Sequence, residues 1–311
     1  MNTNQSSAKA VKAPRANLTT LAWGVIVIGS MAPTIILRLF VPAGPAELVV
    51  PSWLVWTQVV ALAVLWAVSW VWPTVKPLRG LVLALLAFWI GVVLFTPLVF
   101  ESATWSNWVQ QASWGVREVA DRFGNSLIPV VLMALTLIGS GIGRRELFLA
   151  RGNPSAPAQP TRLLGLKEPK PWNRVARDFL LVMVIITVIV AWLQYRPDVS
   201  QIPRALRFLP AVAIATVITV FAEEFMFRSV LLARLEPVVR PGQAMLMTAV
   251  LFGSLHYYTG APSGPIGALV VAWLGWVNAK SMIETRGLVW AFSIHFVVGF
   301  VVAAFGAIPA A

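Results

Sequence analysis

Apolar residues along this chain fall into nine blocks, 18–40, 53–72, 81–100, 127–142, 179–195, 208–235, 244–258, 266–283 and 288–308, separated by polar or basic interruptions. A helix needs about 20 apolar residues to cross the ~30 Å hydrocarbon layer of a bilayer, and most of the blocks are of that order. Backbone N–H and C=O groups in lipid have no water to bond, so each block must satisfy its own hydrogen bonds, as a helix does. The pattern predicts an all-α, polytopic membrane bundle of about eight or nine transmembrane helices.

The interruptions divide the chain. Residues 1–16 form a polar tail carrying Lys9, Lys12 and Arg15, and the apolar block behind it is too long for the core of a cleaved signal peptide, so it reads as a retained first span. Front helices occupy residues 17–143. Residues 144–174 are basic and hold Pro154, Pro157, Pro160, Pro169 and Pro171, the composition of a linker. Back helices occupy residues 175–311. Between Trp105 and Phe123 the chain is too polar to span but keeps Trp105, Trp108 and Trp114, which suits either an interfacial helix or a loop stapled by tryptophans.

Composition fixes the class. With 58% hydrophobic and 12% charged residues and a mean hydropathy of +0.78, the chain lies outside the range of soluble domains. Its net charge of +12 would suggest nucleic acid in a soluble protein. Here the positives gather in alternate interruptions: Lys76 and Arg79, the run from Arg144 to Arg174, Arg234 and Arg240, and Lys280 and Arg286. Basic loops stay on the cytoplasmic side, so the pattern predicts a multi-pass protein of the cell inner membrane or plasma membrane with a cytoplasmic amino terminus and no nucleic-acid partner. Arg117, Arg122, Arg196 and Arg204 lie on the opposite side. The absence of cysteine excludes disulfides, thiolate metal sites and a cysteine nucleophile.

Against this apolar background, ionisable residues inside the blocks mark a pathway or an active site. Glu223 and Glu224 stand together in block 208–235 with Arg228 one turn on, and the only two histidines, His256 and His295, lie in later blocks. Neighbouring helical positions point about 100° apart, so the two glutamates face different directions. Glu224 and Arg228, four apart, suit a buried ion pair. That leaves Glu223 as a candidate general base and His256 as its partner in proton transfer. His295 is a candidate electrostatic stabiliser of a tetrahedral intermediate. No nucleophile elbow accompanies Ser254, and no HExxH pair is present, although two histidines and a glutamate also suit a catalytic zinc.

Glu223-Glu224-Phe-Met-Phe-Arg228 resembles the EExxxR motif, and Phe252 to His256 the FxxxH motif, of the CAAX prenyl protease and bacteriocin-processing (CPBP, or Abi) family of intramembrane proteases. The resemblance covers roughly residues 206–299. It implies that Glu223 and His256 activate water and that His295 contributes to the oxyanion site. An asparagine four residues after that histidine completes the site in the family, but this chain has Gly299 there; Asn278 is a substitute donor. The implied function is an intramembrane endopeptidase that hydrolyses a peptide bond in a protein or peptide presented at the bilayer. The alternative is a non-catalytic scaffold or peptide-immunity protein with a degenerate site, and a transporter is a third reading. The water scheme needs no cofactor; a divalent metal such as zinc is the other possibility.

Overall fold

The computed structural model describes residues 16–40, 52–258 and 264–308. The polar tail with Lys9, Lys12 and Arg15 lies outside the described residues. In chain order the helices are α1 (Ala16–Gly29), α2 (Ala32–Phe40), α3 (Ser52–Val71) and α4 (Arg79–Ile90), then a π-helical turn (Gly91–Phe95) and α5 (Thr96–Phe100). There follow α6 (Ala103–Gln111), α7 (Trp114–Leu135), α8 (Trp172–Tyr195) and the short α9 (Ile202–Ala205). The back half holds α10 (Leu209–Glu224), a second π-helical turn (Phe225–Val230), α11 (Leu231–Leu235), α12 (Pro241–Leu255), α13 (Pro265–Thr285) and α14 (Val289–Gly306). Two antiparallel two-residue strands, β1 (Pro157–Ala158) and β2 (Lys170–Pro171), are the only sheet among the described residues.

Six of the described helical stretches are long and apolar enough to cross a membrane, or seven if α1 and α2, bent by 66° at their break, count as one span. Two predicted spans account for the difference from eight or nine. Block 127–142 belongs to α7, whose first half carries Arg117, Glu118, Asp121 and Arg122 and whose apolar half ends at Leu135. Block 244–258 becomes α12, a helix of 15 residues, about 22 Å long at 1.5 Å per residue and shorter than the hydrocarbon layer. Segment 105–123 is helical: α6 starts with the Ser102 hydroxyl accepting from the Trp105 N–H, and Trp114 at the start of α7 packs on Phe208. Exposed apolar side chains such as Val64, Leu181, Ile185, Ile189 and Leu269 on the spanning helices suit a lipid surround.

One buried cluster joins the front and back halves. Leu81, Leu85 and Phe88 from α4 pack with Phe227, Leu231, Leu232 and Leu251, and the Phe88 and Phe227 rings meet edge to face. α10 packs between α7 of the front half and α14 of the back half, and α13 packs against both α12 and α14. The proline-rich segment is docked rather than free. Trp172 is fully buried and donates its indole N–H to Glu284, which also accepts from the Gln159 backbone and from Lys280.

Candidate active site

The helix that carries the glutamates changes its winding where they end. α10 closes at Glu224, and the next six residues, Phe225–Val230, form a wholly buried π-helical turn before α11 resumes. Such turns insert a residue into the helical repeat and recur at functional positions. Arg228 sits inside this turn, fully buried, with its guanidinium 3.7 Å from the centre of the Phe252 ring. The space exists because residue 275 is glycine: a Cβ there would lie 2.7 Å from Arg228 Nη2 and 3.3 Å from Phe252. Arg228 Nη1 is 3.3 Å from Glu224 Oε1, but the alignment is not that of a hydrogen bond, so the pair is held by charge and by the aromatic face.

Glu224 has closer partners than Arg228. Its Oε1 lies 2.7 Å from His295 Nδ1 and accepts from the Asn278 amide at 3.0 Å. A carboxylate only accepts, so this contact puts a proton on Nδ1 of His295 and turns Nε2 toward Glu223, whose Oε2 is 3.4 Å away. His256 ends α12, and its Nδ1 is 3.0 Å from the Phe252 carbonyl, which likewise assigns the proton to Nδ1. Its Nε2 faces Glu223 Oε1 at 4.0 Å. That gap is too long for a direct hydrogen bond and within reach of one water molecule.

The structure therefore brings Glu223, His256 and His295 together from α10, α12 and α14, with Glu223 between the two imidazoles. All three line one cavity of about 330 Å³. They keep some accessibility, whereas Glu224 and Arg228 behind them have none. Glu118, Arg122 and Tyr195, near the start of α7 and the end of α8, line the same cavity, and Arg122 pairs with Glu118 at 3.0 Å. Nothing in the spacing of the motif region points to these three, which come from outside it. A larger groove of about 550 Å³, lined by Trp105, Trp108, Val116, Phe123 and Ile214 among others, has no titratable side chain.

Asn278, the substitute donor suggested by the sequence, is not among the residues that line the cavity. It lies inside α13, fully buried, and its amide is committed to Glu224. Gly299 does line the cavity, and a Cβ there would meet Thr216 and Val220 at 3.5 and 3.8 Å, ordinary contact distances. Among the described residues, no group of three or more His, Cys, Asp or Glu side chains is gathered closely enough to hold a metal ion. Two imidazoles and a carboxylate are a known zinc donor set, but as arranged here they do not form one.

Residues 205–301, just under a third of the chain, match the family described as type II CAAX prenyl endopeptidase Rce1-like. The matched stretch contains Glu223, Glu224, Arg228, His256 and His295. No curated protein and no solved structure matches the chain. The similarity is thus to the CAAX-protease superfamily in its Rce1-like form rather than to the CPBP family specifically.

Proposed function

We propose that this chain is an intramembrane endopeptidase of the CPBP type that hydrolyses a peptide bond in a protein or peptide presented at the bilayer. The observation that carries the reading is the placing of Glu223 between the Nε2 atoms of His256 and His295 in one accessible cavity. In this scheme a water held between Glu223 and His256 loses a proton to the carboxylate as its oxygen bonds to the amide carbon. His256, with its own proton on Nδ1, presents Nε2 as an acceptor that orients the water. The developing oxyanion lies beside His295, which donates from Nε2 in its doubly protonated form, with Glu224 supplying the compensating charge. The C–N bond then breaks, the proton held by Glu223 passes to the leaving nitrogen, and the carboxylic acid and amine that result exchange a proton to leave as carboxylate and ammonium.

Glu118, Arg122 and Tyr195 support substrate entry from the face opposite the basic loops, which in the proposed topology is the non-cytoplasmic side. With the basic loops on one face, α7 and the shorter α12 also carry the chain from one side of the bilayer to the other. One observation favours the alternative, a scaffold or peptide-immunity protein without efficient chemistry: Gly299 offers no side-chain donor, and loss of one such donor costs about 10²–10³-fold in rate.

The test is hydrolysis of membrane-anchored peptides by the reconstituted protein in ¹⁸O-labelled water, read by mass spectrometry. Direct attack by water predicts one ¹⁸O in each new carboxyl terminus and formation of new termini slowed by about 10²-fold or more with E223Q. Cleavage at the unmodified rate in E223Q contradicts the assignment of the base. Chelator leaves turnover unchanged in this scheme; a loss restored by added zinc would replace it with metal-assisted hydrolysis.

A further inference from the structure

On the basic face, the loop after Arg144 is locked to the turn between α13 and α14. Asn153 N–H donates to the Thr285 carbonyl at 2.8 Å, Leu288 N–H to Ala150 at 2.9 Å, and the Trp290 indole to Pro154 at 2.9 Å. Gly152, at φ +67°, makes the approach possible, because a Cβ there would lie 2.4 Å from the Thr285 carbonyl oxygen. Between this fixed loop and the flanks of α10 and α14 runs an open groove of about 550 Å³. Phe221, Leu288, Val289 and Phe292 give it an apolar lining, and Arg144 and Arg151 line it as well.

The charges there are distinctive. Lys280 and Arg286, on the same face, are satisfied by Glu284 and Glu236. Arg144 and Arg151 have no carboxylate partner among the described residues; the Arg144 side chain donates from Nε to the Leu149 carbonyl. Both arginines are exposed. An apolar groove between two spanning helices that is also lined by two guanidinium groups without a carboxylate partner is complementary to a molecule with an apolar tail and an anionic head. We propose that this groove binds an anionic glycerophospholipid of the surrounding bilayer, its phosphate at Arg144 and Arg151 and an acyl chain along Phe221, Leu288 and Phe292. The site is separate from the peptidase cavity, although Phe221 and Ser293 are each two residues from a cavity residue, Glu223 and His295.

Native mass spectrometry tests this without reference to turnover. The full chain is released from bilayer nanodiscs of equal phosphatidylglycerol and phosphatidylcholine. One phosphatidylglycerol should stay bound per chain, in preference to phosphatidylcholine. R144Q/R151Q should weaken that binding about 30-fold, from about 1 kcal/mol for each basic residue near an anionic surface. R144Q and R151Q alone should give intermediate losses. K167Q/K170Q, which removes the same charge from the same basic segment outside the groove, should bind as the unmodified chain does. Equal retention of phosphatidylcholine, or equal loss in K167Q/K170Q and R144Q/R151Q, would overturn the proposal, as would unchanged binding in R144Q/R151Q.

Discussion

Two hydrogen-bond partners and one guanidinium charge crowd one oxygen, Glu224 Oε1: His295 and Asn278 at 2.7 and 3.0 Å, and Arg228 at 3.3 Å. Removing Arg228 leaves this buried carboxylate without its permanent positive charge, so R228A should cost about 3–5 kcal/mol. It should be read as a lowered unfolding temperature in detergent and a reduced folded yield; unchanged stability would show that His295 and Asn278 suffice. R228K keeps the charge but loses the planar contact with Phe252, and should fall between the two. At Gly299 the expected change is a gain. G299N has ordinary room for its Cβ and carries an amide into the cavity, so turnover per folded molecule should rise at least tenfold against a cleavable peptide. An unchanged rate with an intact fold would remove residue 299 from the oxyanion site. The Glu224–Arg228 contact was legible because four residues make one helical turn. The bonds from Asn278 and His295 were not, since they span 54 and 71 residues and depend on how α13 and α14 pack.

The π-helical turn after Glu224 has no signature in the hydropathy pattern, which reads 208–235 as one continuous block. It is bound up with Gly275 on α13, where a side chain would collide with Arg228. G275A should therefore destabilise the fold by about 1–3 kcal/mol, the range for overpacking a core, and thermal unfolding in detergent is the measurement. An unaltered transition would mean that the guanidinium moves aside freely. Hydropathy located the helices well because apolar blocks and buried or lipid-facing helices coincide. It counts more spans than the six or seven described stretches long and apolar enough to cross, because a block says nothing of where its helix begins. α7 starts among charged residues before its block, and α12 stops at Leu255 short of the end of its own.

Across the whole molecule, the proline-rich segment between the front and back helices behaves as a docked strap. Proline content marks a break in helix but carries no information on what the segment packs against. The fastening is Glu284, which takes hydrogen bonds from Trp172, Gln159 and Lys280. E284Q removes the negative charge that strengthens the bonds donated by the Gln159 backbone and the Trp172 indole, and should speed limited proteolysis between residues 151 and 171, with the spans intact; an unchanged digestion rate would assign the docking to Trp172 burial alone. The all-α membrane architecture was legible from composition, and the five motif residues from their rarity in apolar blocks. The cavity's other wall, Glu118, Arg122 and Tyr195, became apparent only with the packing of α7 and α8 against α10 and α14. In the proposed mechanism Glu223 and His256 act on one water as a unit, and a double-mutant cycle on turnover of a cleaved peptide measures that coupling. E223Q and H256Q should each lower turnover by about 10²–10⁴-fold, and the double variant should be no worse than the poorer single one within a few-fold. Losses that multiply in the double variant, or turnover retained in either single variant with the fold intact, would contradict it.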